Sequence, residues 1–288
     1  MNKVYNHTRK NINRITLIYI LSLIPLILYG TYKNGILLYL NKYVPIYGIF
    51  RPILFCLVPF GIYMLYSLIK ERKLKLNIDA FYYMAIGIFM PPETSLLKYS
   101  LALLVLIPLI DLIPLEFNKG SAIKLILILA ISFLGKYSYW NLLETNHVYD
   151  FSFIDLAMGR SIGGLSSTSL LCALITFIIL CLSSNYKKSI AIITTILYSV
   201  CIFIFYFIEK DSTIFINFAG TITAFIIYGA SFKHSSYTRI GKLFYSIFLV
   251  FLTIFLNSIF PYEGAFIAIL SCSIISRPLD RIFTRKRK

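Results

Sequence analysis

Between Lys188 and Glu209 the chain runs SIAIITTILYSVCIFIFYFI, with no charge anywhere in it. About 20 largely apolar residues are what a helix needs to cross the hydrocarbon core of a bilayer. The pattern recurs along the chain. Apolar runs bounded by charges and turn formers fall at about 14–31, 48–69, 77–91, 97–115, 121–136, 165–183, 188–208, 213–232, 240–260 and 262–277. The expected fold is therefore all-α, a polytopic membrane protein of about ten transmembrane helices forming a single integral membrane domain over 1–288. The third and tenth runs are short and are expected to enter only partway. Composition agrees, since 58% hydrophobic and 14% charged residues leave too few charges to cover a water-facing surface.

The charges set an orientation. With the amino terminus inside, the cytoplasmic basic set is Lys3, Arg9, Lys10 and Arg14, then Lys70, Arg72, Lys73 and Lys75, then Lys119 and Lys124. It continues with Lys187, Lys188, Lys233, Arg239 and Lys242, and closes with a basic tail over 277–288. Lys33, Lys42, Arg51, Lys98, Lys136, Arg160 and Lys210 are the basic residues left outside, where Glu93, Glu144, Asp150, Asp155, Glu209, Asp211 and Glu263 also fall. This asymmetry places both termini in the cytoplasm of a cell-membrane protein. The net charge of +16 is thus a topology signal. It forms no basic face interleaved with aromatics, so the expected partner is the lipid bilayer and not nucleic acid.

The five cysteines, Cys56, Cys172, Cys181, Cys201 and Cys272, lie in apolar runs without a C-x-x-C and read as small core residues. His7, His147 and His234 are scattered and none sits mid-membrane, so no intramembrane metal site is expected. No small-residue cleavage site follows the first apolar run, which is expected to be a retained helix.

One stretch differs from the rest. Residues 159–169, GRSIGGLSSTS, set Gly159, Gly163 and Gly164 among Ser161, Ser166, Ser167, Thr168 and Ser169, directly before the apolar run from Leu170. Glycine admits turns that other residues resist, and Ser or Thr oxygens accept from the free N–H groups of a first helical turn. Those N–H groups and the helix dipole favour an anionic or strongly polar ligand. A tight loop with an ordinary N-cap would use the same residues. Position in the chain favours a site, because GIFMPPETS at 87–95 is a second Gly/Pro-interrupted stretch in the other half. Paired broken or short helices mark the midplane binding site of repeat-built membrane proteins. The chain divides accordingly into two five-helix halves, about 14–136 and 162–277, joined by an outside loop at about 137–161 that holds Trp140. An aromatic belt at the membrane–water boundary accounts for the rings of that loop, and stacking against a ring system would use them too.

Several landmarks, in order, resemble the RnfD/NqrB family, the membrane subunits of ion-translocating, flavin-containing electron-transport complexes. Asn13-Arg14-Ile15-Thr16, ahead of a proline-bearing first helix ending at Gly30, looks like the family's opening. DAFYYMAIGIFMPP at 79–92 looks like its acidic residue, small-residue helix and Leu-Pro-Pro ending, and Glu116-Phe117-Asn118 stands where members have Phe-Asn-Pro. GGLSSTSLLCALI is similar to the G-S-I-G-E-T-S-x-L motif, with Gly163, Thr168 and Ser169 matching. Tyr237 to Asp280 resembles the carboxy-terminal pattern, through Thr238 and Gly241, Pro261-Tyr262-Glu263-Gly264 and Arg277-Pro278-Leu279-Asp280.

The resemblance implies a subunit that passes electrons together with other membrane subunits and has no complete active site of its own. It implies a flavin, FMN or riboflavin, with Arg160, Gly163, Gly164, Ser166, Ser167, Thr168 and Ser169 as the candidate cofactor-binding residues. Arg160 would pair a flavin phosphate or an acidic partner, or else anchor at the outer interface. The chain departs from the family at informative places. It has no S-G-A-T tetrapeptide, through whose threonine members hold FMN covalently, so any flavin is expected to be noncovalent. The glycine-rich loop before Phe-Asn-Pro is LIPLEFNKG, the glutamate of G-E-T-S is Ser167, and the acidic and Thr-Ser-Pro motif after helix eight is GASFKHSSYT.

Asp111, inside LIPLIDLIPLEF, is either a functional intramembrane acid or a carboxylate that interfacial water reaches. Asp79 and Glu263 stand at helix starts, where capping and the dipole account for them. Two other readings stay open on the same scaffold. Broken helices meeting at a pseudo-symmetric centre form a small-solute or flavin channel or transporter as readily as a cofactor pocket, and a purely structural subunit needs neither.

Overall fold

The computed structural model describes residues 9–72, 77–112, 153–210, 215–231 and 235–285. The span expected at 121–136, the Glu116-Phe117-Asn118 turn, most of the outside loop with Trp140, and the side chain of Asp111 lie outside these residues. The described residues form helices and no strand. In chain order these are α1 (Arg9–Ser22), α2 (Ile24–Thr31), α3 (Leu37–Leu40), α4 (Arg51–Glu71), α5 (Ile78–Ile86) and α6 (Leu96–Leu112). They continue as α7 (Phe153–Met158), α8 (Leu170–Leu180), α9 (Lys188–Glu209), α10 (Phe218–Ala224), α11 (Arg239–Asn257) and α12 (Gly264–Arg285). Four stretches, Arg14–Leu40, Ile46–Lys70, Lys188–Glu209 and Arg239–Asn257, are long and apolar enough to cross a membrane.

The faces of α9 show what surrounds the protein. Ile192, Ile196, Val200 and Ile204, spaced by about one turn, are exposed, while Ala191, Thr194, Tyr198 and Ile202 on the other side are buried. An apolar outer stripe over a buried face containing Thr and Tyr reverses the order of a helix in water. In lipid the outer face need only be apolar, and polar groups turn inward or back onto the backbone, as Thr194 does by donating to the Ile190 carbonyl at 2.7 Å. The chain is a membrane protein.

Two short helices occupy the centre. Residues 80–92, comprising most of α5, its 3₁₀ turn (Gly87–Phe89) and the following prolines, are buried without exception, and so are residues 217–231, comprising α10 and its π-helical turn (Phe225–Gly229). A helix apolar on every side has no face to offer water and packs inside. The two meet through tyrosines whose hydroxyls all find partners. The Tyr82 and Tyr228 rings lie 5.6 Å apart, the Tyr228 hydroxyl donates to the Tyr82 carbonyl at 2.9 Å, and the Tyr82 and Ser231 hydroxyls bond at 2.5 Å. Phe89 and Phe266 close the same cluster edge-to-face at 4.9 Å. At the start of α5 the Asn77 side chain accepts from the Ala80 N–H, and Asp79 sits in the first turn, where the dipole favours it. The Glu263 carbonyl likewise receives the first N–H groups of α12.

Four expected boundaries move. The first span does not end near residue 31 but continues through a π-helical turn, Tyr32–Ile36, to Leu40. The sixth run is helical only over Leu170–Leu180, because the hydroxyl-rich stretch before it is not helical. The tenth run is not short: α12 passes through Pro278 to Arg285, whereas the eighth is short, because Asn217 adopts φ 56° and the helix starts only at Phe218.

The far end of α12 is tied to α11. The Asp280 carboxylate accepts from the backbone N–H groups of Tyr237 and Thr238 and from the hydroxyls of Ser236 and Thr238. Beside it, Lys187 donates to the carbonyls of Ser235 and Ser236 at 2.7 and 3.0 Å and lies over the Tyr237 ring. Burial pushes the Lys187 ammonium down to about 8 from its ordinary 10.5, repulsion from Lys242 acts in the same direction, and Asp280 opposes both. Between those values the unfolded chain binds the extra proton, so stability rises with pH. The melting temperature in detergent should climb from about pH 8 to about pH 10 in the wild type, and this rise should be missing from Lys187→Met.

Candidate functional site

The stretch singled out by its glycines and hydroxyls threads through the inside of the bundle. Ile162, Leu165 and Ser166 to Ser169 are each at most 1% exposed. It runs against the other interrupted stretch, 87–95, and the two backbones bond directly where neither is α-helical. The Leu165 N–H donates to the Met90 carbonyl and the Ser166 N–H to the Ile88 carbonyl, both at 2.9 Å. Non-helical backbone at membrane depth must find such partners, because no water is there to supply them. Gly164 is what lets the chains approach: a Cβ there would lie 2.8 Å from Phe89 Cα and 2.9 Å from the Ile88 carbonyl oxygen. Gly159, at φ 81°, turns the chain into this passage through a backbone conformation that side chains resist.

The predicted residues divide in two. Gly163, Gly164, Ser166, Ser167, Thr168 and Ser169 are buried together at the crossing. Ser169 is the N-cap of α8, accepting from the Cys172 N–H at 3.3 Å, and its hydroxyl donates to the Ala157 carbonyl. Gly163 faces Thr168 and the Asn217 side-chain oxygen, and Asn217 in turn donates to the Pro261 carbonyl at 3.2 Å. Arg160 stands apart. Its side chain is 68% exposed at the rim and its guanidinium lies 3.6 Å from Asp155.

Two residues at the crossing escaped sequence reasoning. Lys33, expected in an outside loop, is 4% exposed and donates to the carbonyls of Gly159 and Ser161 at 2.6 Å each and to the Thr168 hydroxyl at 3.1 Å. Its neighbour Asn34 donates to the Leu165 carbonyl. The signal was ILLYL at 36–40, an apolar continuation that makes Lys33 and Asn34 part of one helix and not its end. Several oxygens here have no hydrogen-bond partner: Asn34 Oδ1, Ser161 Oγ and Ser166 Oγ, with Thr94 Oγ1 on the neighbouring stretch.

A flavin does not fit between these residues as they stand. Ring systems of that size occupy pockets of roughly 300 Å³ or more, whereas the crossing is closed by backbone-to-backbone bonds and by the Phe89 backbone against Gly164. A cavity of about 390 Å³ lies instead between α9 and α11, lined by Tyr198, Ile202, Phe205, Asn257 and Pro261, and the Asn257 side-chain oxygen there is buried without a partner. In comparisons with known proteins, no family model matches the chain and no curated protein matches it.

Proposed function

We propose that the chain is a membrane subunit of a flavin-dependent, ion-translocating electron-transport complex of the RnfD/NqrB kind. The observation that supports this reading is spatial. Three stretches that carry the resemblance, 87–92, 163–169 and 261–264, are far apart in sequence and meet at one crossing, the first two by direct backbone bonds and the third through Asn217. In this reading the chain has about ten spans in two five-helix halves with both termini cytoplasmic in the cell membrane, and α5 and α10 are the third members of the two halves. The flavin, FMN or riboflavin, is noncovalent and lies away from the closed crossing. The cavity beside Tyr198 and Asn257 has the size and the mix of aromatic and amide groups that a flavin ring uses.

The test is a flavin assay on protein purified from membranes together with its partners, with absorbance and fluorescence read before and after denaturation and filtration. Flavin released on denaturation is the expected result. No flavin in the intact assembly would overturn the reading. A second reading, a small-solute channel or transporter, is favoured by one observation: the crossing carries buried polar oxygens without partners. Uptake of riboflavin or urea into proteoliposomes of the purified chain would support it.

A further inference from the structure

A lysine buried at membrane depth is costly unless a carboxylate or a dense set of hydrogen bonds compensates it. The acceptors on Lys33 Nζ are all neutral: the Gly159 and Ser161 carbonyls and the Thr168 hydroxyl. Among the described residues no group of three His, Cys, Asp or Glu side chains comes together to hold a metal. Three neutral oxygens converging on one positive centre are the donor set of a hard monovalent cation, since a divalent ion would call for carboxylates. Unwound backbone at the meeting of broken helices is also where membrane proteins turn carbonyls inward to coordinate small cations. Here the left-handed Gly159 and the non-helical 161–169 stretch release those carbonyls from helical bonding. The unpartnered Asn34, Ser161 and Ser166 oxygens add further lone pairs to the same crossing.

We propose that the carbonyls of Gly159 and Ser161 and the hydroxyl of Thr168 form a monovalent-cation cage that Lys33 fills permanently with a tethered ammonium, in place of a free ion. The crossing of the two broken segments is then held closed by a charge the protein carries itself, at any sodium or potassium concentration. This inference does not rest on the electron-transport reading, because its test reads ion dependence of the folded chain and not redox activity.

The experiment compares the full chain with Lys33→Ala and Lys33→Met in detergent, with choline chloride exchanged for ammonium, sodium or potassium chloride at constant ionic strength. Lys33→Ala opens the cage and should melt on the order of 10 °C below the wild type in choline. At least one of the small cations should recover half or more of that loss with a saturable dependence. The wild type, and Lys33→Met, whose side chain keeps the space filled, should not respond to the exchange. The proposal is overturned if choline serves Lys33→Ala as well as the small cations do, or if the wild type itself gains saturable stability from one of them. If Lys33→Ala does not accumulate, amine acetylation mapped by mass spectrometry decides the matter on folded protein. Lys33 should be protected in the wild type and Thr168→Ser, and labelled on the order of tenfold faster in Thr168→Val. Equal labelling in the three proteins would also overturn the proposal.

Discussion

Gly164→Val is expected to abolish recovery of folded protein from the membrane. The new side chain would meet Phe89 Cα, Phe89 C and the Ile88 carbonyl oxygen at 2.8 to 2.9 Å, and these are backbone atoms that cannot swing aside. Relief requires the two segments to part, which breaks the Leu165–Met90 and Ser166–Ile88 bonds. With no water at that depth to replace them, the overpacking and the orphaned backbone groups together cost on the order of 5 kcal/mol, comparable with the whole stability of many domains. Gly163→Ala is the control. Its Cβ meets the Thr168 methyl group at 2.9 Å and the Asn217 side-chain oxygen at 3.3 Å, both at side-chain ends that can give. It should cost about 1 kcal/mol. Size-exclusion profiles and melting curves in detergent measure both, and similar losses for the two variants would show that the crossing is not close at Gly164.

Asp280→Ala is expected to cost about 3 kcal/mol, read as a lower melting temperature with release of α12 from the start of α11. The variant leaves the Tyr237 and Thr238 N–H groups and the Ser236 and Thr238 hydroxyls without their acceptor. The pH dependence of the loss identifies the carboxylate as its source. Burial works against the charge of Asp280, but the hydrogen bonds from Ser236, Thr238 and Tyr237 outweigh it and hold the carboxyl below its ordinary 3.8. A carboxyl depressed in the folded state stabilises above its unfolded value, and that contribution is lost as pH falls through the folded one. The difference between wild type and Asp280→Ala should therefore be flat from about pH 5 to about pH 8 and shrink only below about pH 4. Asp280→Asn should be nearly as harmful at neutral pH, because an amide turns one donor toward groups that are themselves donors.

What could be read from the sequence, and what could not, follows from how far each feature depends on distant residues. The lipid-facing spans were legible because an uncharged run of about 20 residues has one stable environment. The short third helix was legible from its own prolines at Pro91 and Pro92, and the importance of 159–169 from its glycines and hydroxyls. Lys33 was not. A lysine after an apolar run reads as the end of a span, and it is buried only because carbonyls more than a hundred residues later in the chain come to meet it. Asn217 was silent for the same reason, since its role depends on its left-handed backbone and on Pro261. The tenth apolar run ends at 277 in the sequence, yet its helix passes through Pro278, and in the next turn Asp280 accepts from the residues that open α11. The hydroxyl stretch is distinct in the sequence by its composition, but that its backbone bonds to residues 88 and 90 is visible only in the fold.

The two central helices also constrain how the protein can be made. Ile78–Phe89 and Phe218–Gly229 are about 12 residues each, roughly 18 Å of helix against a hydrocarbon core of roughly 30 Å. Neither can be released into lipid alone by the insertion machinery, because its ends would leave bare peptide groups in hydrocarbon. Each can settle only inside a wall of longer spans, and the bond between Tyr82 and Ser231 joins residues 149 positions apart. The first short helix must therefore wait at the membrane, shielded by the translocation apparatus or a chaperone, until Ser231 and the residues before it have followed. A nascent chain that stalls before residue 231 is then an incomplete shell around an unsheltered segment, the form that membrane proteases recognise and remove.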